Sequence, residues 1–173
     1  MKCYNTLIIS LLFFFFISCK KDLPKESQSG ADTFGCYVNG KLFTPKGSPF
    51  AGPVLKAHYI IRNNKPLFSI SATMTEGENL HSVSIGGDSV KLAVGTYAIT
   101  TPAIGSVSGR YNFSHPLSLE PSYTSTNALA GQLTIKYFDS VKYVVSGTFY
   151  FDAVNNNGQK VQVREGRFDV KLY

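Results

Sequence analysis

The chain has 173 residues, and its formal net charge at pH 7 is +6. A chain of this length fits one domain that buries roughly two-thirds of its unfolded surface, so its stability requires no disulfide framework. The basic residues are scattered and form no run of like charge. Export past the inner membrane, which the N-terminal residues indicate, argues against a nucleic-acid partner. Weak attraction to anionic lipid headgroups or acidic glycans is compatible with this charge.

Residues 1–18 have the layout of an export signal. Lys2 provides a basic start, and residues 7–17 form an apolar block that is too short for the roughly 20 residues of a membrane-spanning helix. Ser18 directly precedes Cys19, an arrangement that resembles the lipobox of bacterial lipoproteins, where cleavage before the cysteine is coupled to its acylation. We therefore predict a signal peptide over residues 1–18 and lipid attachment at Cys19. The alternative is an ordinary secretory peptide that leaves this cysteine as a plain thiol.

Residues 19–33 are predicted to be a lipidated flexible tether ahead of a single all-β domain over residues 34–173. The segment is rich in Lys, Ser, Gly and acidic residues and lacks an apolar period, so deletion of residues 21–30 is expected to leave stability nearly unchanged. The Lys-Lys-Asp after the cysteine resembles the export tag of Bacteroidota lipoproteins. That resemblance implies anchoring at the outer membrane, on its periplasmic face or at the cell surface.

Cys36 is the one cysteine expected in the folded part, because Cys3 leaves with the signal peptide and Cys19 is acylated. It therefore has no partner for an intramolecular disulfide, and the surrounding sequence lacks the signatures of a cysteine nucleophile. Since Cys36 alternates with Phe34 and Val38, we predict a buried and inert thiol.

From residue 34 onward the apolar residues follow a period of two, which is the pattern of strands with one buried face. Asn39 and Gly40 accept positive φ angles and predict a type I′ hairpin turn. A second such turn is predicted at residues 63–64, and it fixes a register that can be checked against the apolar pattern. The paired residues all fall on one apolar face: Tyr59 with Phe68, Ala57 with Ile70, and Leu55 with Ala72.

The C-terminal third of the chain, residues 131–173, has the clearest alternation. Its apolar residues change from odd positions at Val163 to even positions at Phe168, so we predict a β-bulge or break at Gly166. Shorter patterns predict the strands in the middle of the chain: residues 80–85, residues 90–100 with a bulge at Gly95, residues 110–113, and residues 117–123.

The frequent strands, separated by Asn, Gly and Pro, predict an all-β fold. No segment after the signal peptide combines a helical period with capping residues. We expect an antiparallel β-sandwich, with a calycin-like β-barrel as the alternative. The barrel requires apolar residues around an interior that is larger than side chains can fill.

Three glycine-containing segments, at residues 131–135, 145–149 and 166–170, resemble those of small Bacteroidota outer-membrane lipoproteins with a domain of unknown function. The resemblance covers about residues 34–173. It implies a location in the cell envelope and a β-rich fold, and it supplies no activity and no catalytic residue.

No chemical constellation is evident among the titratable residues. The histidines occupy separate segments without metal-ligand spacing, and each aspartate examined as an acid–base partner ends a strand or is the polar member of one. Residues 86–89 and 155–158 are predicted turns, not a phosphate cradle or a calcium loop. We therefore predict no catalytic residue, metal or cofactor. The candidates weighed were His58, His81, His115, Asp139, Asp152 and Asp169.

Binding is the least demanding function for such a chain, because outward-facing tyrosines on a sheet can stack against sugars or partner proteins. We expect a non-enzymatic binding or assembly module of the cell envelope, with a glycan or an envelope protein as its partner. A carrier of a small apolar ligand and a small surface hydrolase are the alternatives. The tyrosines considered for an outward position are Tyr37, Tyr111, Tyr123 and Tyr150.

Overall fold

A computed structural model describes residues 22–47, 53–115 and 122–173. Within these ranges the chain forms strands and no helix, and thus contains no helix that is long and apolar enough to cross a membrane. The predicted signal peptide and Cys19 lie outside the described residues. The strands are β1 (Thr33–Val38), β2 (Lys41–Phe43), β3 (Leu55–Arg62), β4 (Lys65–Glu76), β5 (Asn79–Asp88), β6 (Gly95–Ala98), β7 (Val107–Ser114), β8 (Tyr123–Thr124), β9 (Gly131–Asp139), β10 (Val144–Val154) and β11 (Lys160–Lys171).

The strands pair antiparallel in one curled sheet with the order β2-β1-β11-β10-β8-β7-β5-β4-β3. The sheet branches at β10, because β9 pairs with most of that strand and carries β6 on its other side, whereas β8 meets β10 at Val154. The ring of Tyr59 on β3 packs edge-on against that of Phe138 on β9, with centroids 5.7 Å apart, so these two strands are in contact across the curled sheet. This all-β antiparallel, sandwich- or barrel-like arrangement confirms the predicted fold class.

Aromatic side chains pack against one another on the inner face of β1, β10 and β11. The ring of Phe149 on β10 lies 5.3 Å from that of Phe34 on β1 and 6.3 Å from that of Phe168 on β11. All three side chains are buried, and the predicted alternation of the last strand is confirmed because Val170 and Leu172 are buried as well. Dense contacts of this kind stabilise the interior through both hydrophobic burial and close packing.

Both predicted hairpins are confirmed. The turn between β1 and β2 has positive φ at Asn39 and Gly40, and the turn between β3 and β4 has φ of 51° at Asn63 and 60° at Asn64. In the second hairpin the turn type and the apolar pattern specify the same register. The observed pairs match the expected ones: Tyr59 with Phe68, Ala57 with Ile70, and Leu55 with Ala72.

The predicted β-bulge of the last strand is also confirmed. The register of β11 shifts against β1 between Arg164 and Arg167 and against β10 between Val163 and Gly166, and Glu165, which lies within both intervals, has a positive φ of 52°. Gly166 is required because a Cβ at this position would lie 2.4 Å from the ring of Phe149. The extra residue turns Arg164 and Arg167 toward the same outer face of the sheet.

Two predicted strands differ from the structure. Over residues 90–100 only Gly95–Ala98 forms a strand, so Gly95 begins β6 and is not a bulge within a longer strand. Val90 and Leu92 are nonetheless buried, which shows that their apolar alternation serves a loop packed against the core. Of the predicted strand over residues 117–123, residues 117–121 lie outside the described ranges, and β8 begins at Tyr123.

The segment before β1 also differs from the expected flexible tether. Residues 22–32, which we call the N-terminal strap, form no strand but lie against the outer face of the sheet. Leu23 is buried, and Pro24 packs so closely on Gly35 that a Cβ there would lie 2.6 Å from its ring. The strap is held mainly by hydrogen bonds from its serines and glycine and from its backbone. Because such contacts need few apolar residues, its composition resembles that of a linker.

Candidate functional site

An open groove of about 490 Å³ lies on the outer face of β9, β10 and β11. Because side chains alternate along a strand, the even-numbered residues of β10 point outward there, and Tyr150 is 39% exposed. We call this surface the Tyr150 groove. It is lined by Glu26, Gln132, Thr134, Thr148, Phe149, Tyr150, Arg164, Glu165, Gly166 and Arg167.

The guanidinium of Arg164 is held in place at the edge of the groove. Its Nη2 forms an ion pair with Oδ1 of Asp152 at 2.5 Å, and its Nη1 donates to the carbonyl oxygens of Phe151 and Val163. A side chain with so many fixed contacts loses little additional entropy when it binds a ligand. The Arg164 wall of the groove is therefore preorganised.

The strap supplies the opposite wall. Glu26 of the strap forms an ion pair with Lys136 of β9 at 2.5 Å, and Arg167 donates to the carbonyl oxygen of Pro24 at 3.5 Å. Two acidic and two basic side chains line the groove, so its charges balance: Glu26 and Glu165 against Arg164 and Arg167.

Asp169 fastens the strap to the sheet. Its side chain is 1% exposed and accepts hydrogen bonds from the hydroxyls of Ser27 and Ser29 and from the backbone N–H groups of Ser29, Gly30 and Ala31. Burial alone would raise the pKa of this carboxyl, but these hydrogen bonds outweigh it and lower the pKa. Asp169 is thus a buried structural acceptor and not the solvated strand residue that the alternation predicts.

A second recess of about 330 Å³ lies beside the strap, between it and β9, β10 and β11. Its lining includes Ser146, which is buried and whose hydroxyl oxygen has no hydrogen-bond partner in the part of the chain that the structure describes. Glu26 lines both this recess and the Tyr150 groove. The two recesses therefore adjoin each other on one outer face, separated by the Glu26–Lys136 ion pair.

His81 lies on the inner face of β5 and not on the solvated face expected from sequence. Its Nδ1 lies 2.8 Å from the hydroxyl of Tyr111, its ring packs 5.0 Å from that of Phe113, and Glu76 lies 3.9 Å away. Burial lowers the pKa of His81, and burial with the nearby Tyr123 raises the pKa of Tyr111 to about 12. Both groups are thus neutral at pH 7 and fit a packed aromatic cluster.

The other titratable candidates occupy separate places. Asp139 accepts hydrogen bonds from the N–H groups of Lys142 and Val141, which lower its pKa and cap the turn after β9. His115 lies 3.4 Å from Glu78, and His58 is half-buried on β3. Within the described ranges, no three His, Cys, Asp or Glu residues are grouped in a way that suits a metal ion.

Cys36 is fully buried, as predicted, and burial raises the pKa of its thiol. The predicted turn at residues 155–158 is present. There, Oδ1 of Asn155 accepts hydrogen bonds from the backbone N–H groups of Asn157 and Gln159, each with a donor–acceptor distance of 3.0 Å. The predicted turn at residues 86–89 differs from the structure, since β5 continues to Asp88.

Of the four tyrosines considered for an outward position, Tyr150 lines a groove. Tyr111 is buried, Tyr123 packs against it with ring centroids 5.8 Å apart, and Tyr37 is half-buried on β1. Sequence reasoning missed the two groove arginines, although the parity change at Gly166 carried the signal. A bulge places residues three apart on one face, and here it does so for Arg164 and Arg167.

A protein-family model described as "Domain of unknown function (DUF6252)" matches residues 62–170, which is more than half of the chain. The matched region includes β4 to β10, most of β11 and all groove residues except Glu26. No curated protein and no solved structure matches the chain.

Proposed function

We propose that this chain, which belongs to the DUF6252 family, is a non-enzymatic binding module of the bacterial cell envelope. The layout of residues 1–18 and the Ser18-Cys19 pair support export and lipid anchoring at the outer membrane. The Tyr150 groove carries the binding part of the proposal, because it joins an exposed aromatic ring to polar groups on a rigid sheet.

The ligand class that best fits the groove is a neutral carbohydrate. The face of an aromatic ring packs against the C–H face of a pyranose, and Tyr150 offers such a face. Planar side chains such as Gln132 and Arg167 donate paired hydrogen bonds, while Glu165 accepts them from sugar hydroxyls. The balanced charge of the groove favours a neutral ligand over an anionic or cationic one.

The alternatives have less support. A carrier of an apolar ligand needs interior space, yet a Cβ on Gly109 would already lie 2.8 Å from the ring of Phe151. A hydrolase needs an acid–base pair, whereas Asp139 caps a turn and Asp169 is saturated by hydrogen bonds from the strap. Both aspartates therefore have structural roles.

The test is a binding screen against gluco-, xylo- and manno-oligosaccharides, followed by calorimetry on any hit. Tyr150→Ala is expected to weaken binding roughly tenfold or more, since a central aromatic contact commonly contributes that much. Tyr143→Ala is the matched control, because Tyr143 is 60% exposed in the turn between β9 and β10 and lies outside the groove lining. Equal loss in both variants, or no loss in Tyr150→Ala, would reject the groove as the site.

A further inference from the structure

The turn between β3 and β4 exposes apolar side chains that a folded domain usually buries. Ile61 is 66% exposed, and Ile60 and Leu67 are each more than 40% exposed. Ile104, in the loop between β6 and β7, is 76% exposed and lines one groove together with Leu67. We call these four residues the apolar tip. Such a concentration of exposed apolar surface marks an interaction site.

The apolar side chains occupy both faces of the hairpin. Ile60 pairs with Leu67 across the ladder, and Ile61 pairs with Pro66. Consecutive pairs point to opposite faces, so the hairpin is apolar on each side near its end. The loop of Ile104 is held beside it, because the N–H of Gly105 donates to the carbonyl oxygen of Asp88 at 2.8 Å.

Two cations stand at the end of the same hairpin. Arg62 pairs with Lys65 across the turn, on the face that carries Ile60 and Leu67, and both are exposed. Neither takes part in a salt bridge within the described ranges. Asp88, opposite Leu67 on β5, is the nearby acid, and it accepts a hydrogen bond from Ser89. The tip thus presents positive charge directly next to apolar side chains.

We propose that the apolar tip inserts into the interface of an anionic lipid surface, with Arg62 and Lys65 on the lipid phosphates. A lipid medium surrounds a hairpin on all sides and so covers both of its apolar faces, whereas a flat protein partner covers one. Long basic side chains extend to the headgroups while neighbouring apolar ones lie deeper. The charge of the tip complements the phosphates. This contact is separate from the groove and from acylation at Cys19.

The experiment uses residues 19–173, the predicted mature chain, with Cys19→Ser, so that neither an acyl chain nor a second reactive thiol contributes. An environment-sensitive fluorophore is placed at the tip through Ile61→Cys, since the native Cys36 is buried and burial raises the pKa of its thiol. Leu80→Cys is the control, because Leu80 is 41% exposed at the start of β5, away from the tip. Vesicles of phosphatidylglycerol and phosphatidylcholine in equal parts are expected to shift the emission at residue 61 to the blue and leave residue 80 unchanged.

Two further arms decide the cause of such a shift. Replacing both tip cations, Arg62→Gln with Lys65→Gln, is expected to raise the lipid concentration needed for half of the shift by roughly tenfold, and vesicles of phosphatidylcholine alone should act like that variant. An unshifted spectrum at residue 61 in anionic vesicles would overturn the proposal. A concentration-dependent shift without lipid would also overturn it, because the tip would then bind a second copy of the chain.

Discussion

Asp169 is the residue whose role depends most on its surroundings. In sequence it alternates with Phe168 and Val170 like any solvated strand residue, yet it is buried under the strap and accepts bonds from Ser27 and from Gly30. A buried carboxylate is stable there only because these donors replace water. Alternation alone does not distinguish this role, since the donors come from a segment without any periodic pattern.

Asp169→Asn is expected to lower the free energy of unfolding at pH 7 by about 1–3 kcal/mol, because an amide cannot accept as many bonds and places its own N–H group against donors. The lowered pKa of Asp169 determines how the free energy of unfolding depends on pH. The stabilisation by the carboxylate is full above the unfolded pKa of about 4 and is lost as the pH falls through the folded value.

Urea unfolding at several pH values measures this dependence. The wild-type protein should lose stability below about pH 4 more steeply than Asp169→Asn does, so that the two curves converge in acid. Parallel curves over the whole range would mean that the carboxylate makes no pH-dependent contribution to folding.

Among the elements, the strap was expected to contribute almost nothing to the stability of the domain, and its contacts in the structure indicate a larger contribution. The strap covers Asp169 and buries Leu23, so deleting residues 22–30 is expected to cost about 3 kcal/mol or more, against the sequence-based expectation of almost no change. Thermal or urea unfolding of the deletion variant measures the loss. A midpoint equal to that of the wild type would mean that the strap contributes nothing to stability.

The last strand has partners on both sides, β1 and β10, and Phe168 at its centre contacts Phe149. Phe168→Ala is expected to cost about 3–5 kcal/mol, a large part of the roughly 5–15 kcal/mol that stabilises a domain. The midpoint of urea unfolding reports it. A loss below about 1 kcal/mol would contradict the buried position of this ring.

The hairpin of β3 and β4 was predictable in detail because its turn fixes the register and its apolar residues fix the buried face. The loop over residues 90–94 was not, since Val90 and Leu92 alternate as strand residues do while packing on the core without a ladder. Of the groove residues, the sequence predicted an outward position with a binding role only for Tyr150. Arg164 and Arg167 lie on the same face because the bulge of β11 separates them, and Glu26 lies there because the strap folds back onto the sheet.

At the scale of the whole molecule, the described domain places the Tyr150 groove on one outer face and the apolar tip on a separate hairpin. The two proposed contacts, with a ligand and with a lipid surface, therefore do not compete for the same residues. Acylation at Cys19 would keep it at the membrane, because lipid chains partition strongly into bilayers.

Cys19→Ser is expected to move the protein from the membrane fraction to the fraction that is released without detergent, or to leave it as an unprocessed precursor that has not gained lipid. Metabolic labelling with a radioactive fatty acid tests lipid attachment in either case, since neither form incorporates the label. The size of the chain on a gel distinguishes the released form from the precursor, which keeps residues 1–18. Incorporation of fatty acid into Cys19→Ser at the wild-type level would contradict lipid attachment at this residue.

The central claim is that the outer face of β9, β10 and β11 binds a neutral carbohydrate. The most direct test is to titrate the isotope-labelled protein with an oligosaccharide that the binding screen identifies and to follow the chemical shifts of the backbone amides. The account predicts that the largest changes fall on Gln132, Tyr150 and Arg167, which line the groove, while His81 and Tyr111 on the inner face stay unchanged. Changes centred on His81 and Tyr111 would contradict it and place the ligand inside the sheet.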